Sequence, residues 1–190
     1  MQPTEVTALI LAGGRATRLG GVDKRELVVE GQTIFARQLA ALAPYVAEVV
    51  VSAPRPVPGH RTVADPEPGL GPLGGVAAGL TACTTPWLLV LAGDMPHIGR
   101  PLIARMCARG DDECDAVGLR CGGLPEPLCT LLRADVWRPR VAARIAARRL
   151  KASALLTEEG ARVAWIEEAE LRSIDPELRA LHNVNTPSDL

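Results

Sequence analysis

The sequence predicts an α/β fold with a mostly parallel sheet, on three observations. Short runs rich in Val, Leu and Ile alternate with stretches of helical spacing along the chain. The first run, Val6 to Leu11, is continuously apolar, as a central strand covered on both faces must be. Such runs stop at Gly13-Gly14 or at Gly93-Asp94, the punctuation of strand-to-loop turns.

The elements follow in order. After the first strand, 6–11, a helix is expected over 34–42, where Phe35, Leu39 and Leu42 recur at i, i+4 and i+7. Residues 46–51 make the second strand. Proline and glycine crowd 54–59 and lead to a short strand around 61–64. Residues 69–75 read as a second glycine-rich loop feeding a small-residue helix over 76–82. The third buried strand, 87–91, ends at Gly93-Asp94. The next helix carries Pro101 in its first turn and Gly110 past its end, the expected asymmetry. Strands over 116–119 and 128–132 flank the turn Cys121-Gly122-Gly123 and could pair. Residues 136–150 are helical apart from Pro139, and 163–166 is a late strand. No internal repeat or low-complexity linker divides the 190 residues, so 1–190 is expected to be a single domain.

Composition narrows the function. Lys and Arg together number 21 against 22 Asp and Glu, a net charge of −1, so a generally basic surface that coats nucleic acid is excluded and any anion site must be local. Aromatic residues are 3% of the chain, too few for rows that stack bases. No apolar run reaches the length of a membrane span, and residues 1–5 are polar, without a basic-then-apolar signal segment. The five cysteines contain no CxxC pair. Cys107, Cys114 and Cys121 recur every seven residues but fall on different elements. They read as buried or incidental thiols of a reducing compartment, and a cytoplasmic location is expected.

The local anion site is expected at Leu11-Ala12-Gly13-Gly14-Arg15-Ala16-Thr17-Arg18-Leu19-Gly20-Gly21-Val22-Asp23-Lys24. A strand ending in two glycines lets backbone N–H groups approach a phosphate or a base with no Cβ in the way. Two arginines and a lysine follow and can neutralise a triphosphate. GxxxxGK[ST] is absent, so this is no P-loop. GxGxxG is absent too, and the second strand ends at Ser52-Ala53-Pro54 with no carboxylate for a ribose, so NAD binding is excluded. Lys24 is one of only two lysines, with Lys151, in a chain that otherwise uses arginine. That suits a site needing a compact ammonium, although a plain surface lysine is the competing reading.

LAGGxxxRxGGxDK, Leu11 to Lys24, resembles the signature loop of nucleotidyltransferases, and is most similar to that of the molybdenum cofactor guanylyltransferase family. The similarity continues in order through Asp65, Gly71-Pro72-Leu73-Gly74-Gly75, Gly93-Asp94-Met95-Pro96, Pro127-Leu128-Cys129 and Asn183-Val184-Asn185-Thr186-Pro187. The resemblance implies a Rossmann-like three-layer nucleotidyltransferase fold. It also implies transfer of GMP from GTP to molybdenum-loaded molybdopterin, giving molybdopterin guanine dinucleotide and pyrophosphate. By that resemblance Leu11, Ala12, Gly13, Gly14, Ser52 and Asp65 receive GTP, and Lys24 and Arg18 lie along the triphosphate. Asp94 is implied to hold Mg²⁺ at the carboxyl edge of the sheet, where ligands of open α/β sheets bind. Its competing reading is a cap on the turn before Pro96. Ser52 stands where the family usually places Asn and has a shorter reach. Gly74, Gly75, Pro127, Asn183 and Asn185 are implied to lie on the pterin side, and Glu126-Pro127-Leu128 resembles a segment near the second substrate. The two asparagines could equally cap the final turn. Molybdoenzymes or their chaperones are the implied recipients.

Three other readings stay open: a cytidylyltransferase acting on the same pterin, a sugar-phosphate nucleotidyltransferase, and a non-catalytic molybdopterin-binding or chaperone protein. Arg140, Arg144 and Arg148, with Lys151, fall on one face of a predicted helix and are expected to form a solvated surface rather than a partner site.

Overall fold

The computed structural model describes residues 1–13 and 26–184. Strand β1 (Val6–Leu11) precedes a small hairpin, β2 (Val28–Val29) and β3 (Gln32–Thr33), then helix α1 (Ile34–Leu42) and strand β4 (Glu48–Ser52). β5 (Arg61–Val63) is followed by α2 (Pro72–Ala82), β6 (Trp87–Ala92) and α3 (Arg100–Arg109). β7 (Ala116–Cys121), β8 (Leu124–Arg133), α4 (Ala134–Ala146), β9 (Val163–Glu167) and α5 (Glu168–Ile174) follow.

Seven strands make one sheet in the order β5-β4-β1-β6-β8-β7-β9. The pairs β4–β5, β1–β4, β1–β6 and β7–β9 are parallel, whereas β8 is antiparallel to both β6 and β7. One strand of the seven therefore runs against the rest, and the expected mostly parallel sheet is what forms.

Side chains that alternate along the central strands divide between two cores. Val6, Ala8 and Ile10 of β1, with Leu89 and Leu91 of β6, pack with Leu42 of α1, Ile103 of α3 and Leu171 of α5. Leu9, Leu88 and Val90 point the other way, onto Leu73 and Leu80 of α2 and Trp137 and Val141 of α4. Both faces are thus covered, which explains the unbroken apolar runs and gives three layers. Each fully buried leucine contributes about 2 kcal/mol of apolar transfer. Trp137 also satisfies its indole, which donates to the Asp115 carbonyl at 2.7 Å.

Several boundaries depart from expectation. Residues 72–75 are the first turn of α2 rather than loop, because Pro72 occupies a position whose N–H has no helical acceptor. Strand β8 begins at Leu124, four residues before the expected start. Its pairing to β6 ends at Cys129, so the stretch holding Pro125 and Pro127 is bonded to β7 alone and tolerates missing donors. The hairpin turn uses Gly122 and Gly123, both at positive φ. Helix α4 spans Ala134–Ala146 instead of 136–150, ending just before Arg148 adopts a left-handed φ of 54°.

The arginine stripe is solvated only in part: Arg148 and Lys151 are exposed as expected, whereas Arg144 is not. Arg144 is only 4% exposed and donates to the carbonyls of Lys151 at 3.0 Å and Ala154 at 3.5 Å. Arg140 donates to the Gly160 carbonyl at 2.9 Å. Arg148, past the helix end, pairs with Glu67 at 2.6 Å. The first two tie down the segment that leads to β9, where unpaired carbonyls need donors. All five cysteines are free thiols, and four of them are buried.

Candidate functional site

The strand order reverses at β1: β4 and β5 lie on one side of it and β6 on the other. At such a switch point the connections leave in opposite directions and open a crevice beyond the carboxyl ends of the strands. Residues 12–13, Ser52, Asp65 and residues 93–94 all follow the carboxyl ends of parallel strands, so they gather at one edge. β8 runs the other way and brings the start of its own strand, with Glu126 and Pro127, to the same edge.

The floor of the crevice is backbone. The Ala12 amide donates to the Ser52 carbonyl at 2.9 Å, and the Gly93 amide donates to the Leu11 carbonyl at 3.0 Å. A Cβ on Gly93 would stand 2.7 Å from that same carbonyl oxygen, so only glycine allows β6 to close on β1 here. The Ala12 amide and one lone pair of the Leu11 carbonyl are thus used within the protein.

Ser52 and Asp65 meet on the first turn of α2. Ser52 is 3% exposed, and its hydroxyl hydrogen-bonds the Asp65 carboxylate. A Cβ on Gly75 would lie 2.7 Å from Ser52 Oγ and from a Leu11 methyl, and one on Gly74 would lie 2.9 Å from the Asp65 carboxyl. The two glycines are a slot for these side chains rather than a loop that approaches a phosphate. Burial pushes the Asp65 carboxyl above its usual range, and the Ser52 hydrogen bond opposes this.

Asp94 is half-buried, two residues past β6. Its turn is gripped from three sides. Gln38 of α1 donates to the carbonyls of Ala92 and Met95, Arg37 donates to the Pro96 carbonyl at 2.9 Å, and the Val184 amide donates to the Asp94 carbonyl at 2.9 Å. Val184 packs with Val29 and Ile34, so the segment holding Asn183 lies beside Asp94 and the β2–β3 hairpin. Glu30 of that hairpin pairs with Arg37 at 3.0 Å and Arg179 at 2.9 Å, and Arg179 approaches His97 at 3.4 Å. Burial, followed by the Arg179 charge, keeps the His97 pKa below its usual value.

The β6–β8 ladder runs from Trp87 opposite Arg133 to Leu91 opposite Cys129. Beyond its end, Asp94 in the following turn and Glu126 near the start of β8 come within reach of one another's charge. The Glu126 carboxyl is pushed above its usual range by burial; its hydrogen bond from the Leu128 amide opposes the shift, and the Asp94 charge adds to it. Among the described residues no group of three or more His, Cys, Asp or Glu side chains could hold a metal ion. Two carboxylates at a phosphate site are the usual protein share of a Mg²⁺ shell.

A family model, the MobA-like NTP transferase domain, matches residues 8–163. The chain belongs to the MobA-like NTP transferase family. It is 30% identical to the molybdenum cofactor guanylyltransferase of Vibrio cholerae, covering 100% of this chain and 92% of that one. It is 36% identical to the probable molybdenum cofactor guanylyltransferase of Chloroflexus aggregans, over 97% of this chain and 91% of that one. Among solved structures it resembles molybdopterin-guanine dinucleotide biosynthesis protein A from Archaeoglobus fulgidus, with a TM-score of 0.78 and 23% identity over 96% and 94% of the two chains. That likeness bears out the α/β nucleotidyltransferase fold.

Within this MobA-like transferase the structure brings together Leu11, Ala12, Gly13, Ser52, Asp65 and Asp94, with Pro127 and Asn183 on the far side of Asp94. Gly74 and Gly75, expected on the pterin side, pack against Asp65 and Ser52. Gly14, Arg18, Lys24 and Asn185 lie outside the described residues. Glu126 was expected only within a segment near the second substrate, and the antiparallel β8 is what brings it within reach of the Asp94 charge. Gln38 was not expected at the site, and nothing local in the sequence marks it.

Proposed function

We propose that this nucleotidyltransferase moves GMP from GTP onto the terminal phosphate of molybdenum-loaded molybdopterin. The observation that carries this reading is the convergence of residues 11–13, the Ser52–Asp65 pair and Asp94 on one crevice, in a chain whose full-length relatives bear the guanylyltransferase name. An oxygen of the pterin phosphate attacks the α-phosphorus of GTP in line. The bond from that phosphorus to the bridging oxygen breaks, and pyrophosphate leaves with the electron pair. A phosphate monoester is largely ionised at neutral pH, so no protein base has to remove a proton.

The nucleotide rests on residues 11–13 and on Asp65, which Ser52 steadies. Asp94, with Glu126 within reach of its charge, offers the hard oxygen donors that suit Mg²⁺, and that ion when bound supplies charge neutralisation to the phosphates. Lys24 and Arg18 stabilise the departing pyrophosphate. Pro127, Asn183 and Asn185 border the pterin. The setting is cytoplasmic, in keeping with five free thiols, and among the described residues no helix is long and apolar enough to cross a membrane. The product passes to molybdoenzymes or their chaperones.

Pyrophosphate release measured with GTP, CTP, ATP and UTP, each with molybdenum-loaded molybdopterin and Mg²⁺, tests the reading. GTP is expected to be used at least tenfold better than the others, and Asp94→Ala to remove turnover. Preference for CTP would overturn the guanine assignment. Full turnover by Asp94→Ala would remove that residue from the mechanism.

A further inference from the structure

Gln38 is on α1, with none of its surface exposed, directly beneath the turn that carries Asp94. Its amide nitrogen donates to the Ala92 carbonyl at 2.8 Å and to the Met95 carbonyl at 3.2 Å. Those two carbonyls bracket Gly93 and Asp94, so a single side chain spans the turn from the last residue of β6 to the first residue after the carboxylate. The orientation of the amide follows from chemistry: reversed, its oxygen would face two carbonyl oxygens. No partner compensates the other end, because Gln38 Oε1 is buried without a hydrogen bond. A buried acceptor left unpaired works against folding. An apolar side chain of the same length would fill the space but take this donor from the Ala92 and Met95 carbonyls, so the amide serves the turn and not packing alone.

We propose that Gln38 is a positioning residue for Asp94, holding the 92–95 turn in the shape that aims the carboxylate at the nucleotide phosphates. Neighbouring contacts fit the role. Arg37 extends the same grip to the Pro96 carbonyl, and the Val184 amide holds Asp94's own carbonyl from the opposite side. Small displacements of an aligned group cost large factors in rate, so a turn tied at both ends matters more to turnover than to stability. This role for Gln38 rests on Asp94 being the carboxylate that serves the phosphates.

The test compares Gln38→Met, which keeps the length but has no donor, with Gln38→Glu, which can donate only when protonated. Three quantities are read: the thermal midpoint, Mn²⁺ affinity by electron paramagnetic resonance in the presence of GTP, and kcat and KM for GTP across pH. Gln38→Met, which takes this donor from the Ala92 and Met95 carbonyls, is expected to lower the midpoint modestly, with kcat per folded molecule lowered about tenfold, KM for GTP within about twofold, and Mn²⁺ bound several-fold more weakly. Activity of Gln38→Glu relative to wild type is expected to rise as pH falls, because the protonated acid restores one of the two hydrogen bonds. Wild-type kcat and Mn²⁺ affinity in Gln38→Met would overturn the proposal. So would activity that merely follows the folded fraction, or a Gln38→Glu to wild-type ratio that does not change with pH; this last arm decides the matter even if Gln38→Met does not fold. Asp94→Asn is run alongside: wild-type turnover there sinks the role of Asp94 itself, whereas loss there with an unaffected Gln38→Met sinks only the role of Gln38.

Discussion

Asp94, two residues past the end of β6, lies close enough for its charge to act on Glu126 near the start of β8, although 32 residues separate them in the chain. Both carboxyls serve one edge of the sheet, and burial together with the Asp94 charge makes Glu126 slow to ionise. Like charges at close range in a partly dry setting disfavour double ionisation, and a divalent cation between them would reverse that preference.

The first prediction concerns this pair without metal or nucleotide. A carboxyl whose folded pKa is raised holds its proton more tightly in the native state than in the unfolded chain. Its contribution to stability is therefore present below about 4.5, the ordinary glutamate value, and is lost as pH rises through the folded value. Glu126→Gln cannot ionise. Its thermal midpoint relative to wild type should climb as pH increases from 4 towards neutrality, and Asp94→Asn should reduce that climb. Melting curves over the pH series check this, and a pH-independent difference would contradict it.

The slot on α2 gives a second. Gly75→Ala puts a methyl 2.7 Å from both Ser52 Oγ and a Leu11 side-chain carbon. Overpacking of this kind costs about 1–3 kcal/mol. The pressure is on the nucleotide side, so KM for GTP should rise more than kcat falls. Adding Ser52→Ala removes one of the two offending atoms and should recover part of the stability, a coupling that a double-mutant cycle measures.

Asp115 provides a fold-only control. It is 5% exposed and accepts from the Arg162 backbone amide at 3.0 Å and from its guanidinium at 2.7 Å. The Arg162 hydrogen bonds hold its carboxyl below the usual range, so its stabilisation is present above about 3.8 and is lost as pH falls through the folded value. Asp115→Asn should cost about 1–3 kcal/mol in denaturant unfolding at neutral pH, since charged hydrogen bonds are lost. Turnover per folded molecule should stay at the wild-type level, because Asp115 and Arg162 sit at the opposite ends of β7 and β9 from the crevice.

Removal of divalent cations gives the fourth. EDTA should abolish pyrophosphate release from GTP, and excess Mg²⁺ should restore it in the wild type but not in Asp94→Ala. Full activity in EDTA would remove the ion from the reaction.

Much of the fold is legible from local pattern. The apolar runs at β1, β4 and β6 and the periodicity of α1 mark elements that depend on nearby residues and on burial of both faces. The misplaced boundaries have local causes too. Gly74 and Gly75 look like loop residues, yet a proline at the first helical position and the need to admit Ser52 and Asp65 make them helical. Pro125 and Pro127 look like strand breakers, but the pairing with β6 stops at Cys129 and asks nothing of them. Arg144 looks solvated from its spacing, and is buried because carbonyls of a later segment fold back onto it.

By itself the sequence determined that a glycine-ended strand leads into a locally basic stretch of sequence within an α/β chain, and its ordered motifs pointed to the nucleotidyltransferase family. It also nominated Asp94, Asp65 and Ser52, since each follows a readable strand and strand ends in such sheets meet at one edge. Only the tertiary structure decided what these residues face. Ser52 engages Asp65, Glu126 lies within reach of the Asp94 charge, and Gln38 ties the Asp94 turn from below. The physical reason is that each of these relationships crosses between elements. The reversed β8 and the packing of α1 and α2 on opposite faces of the sheet set them, and no local spacing encodes either.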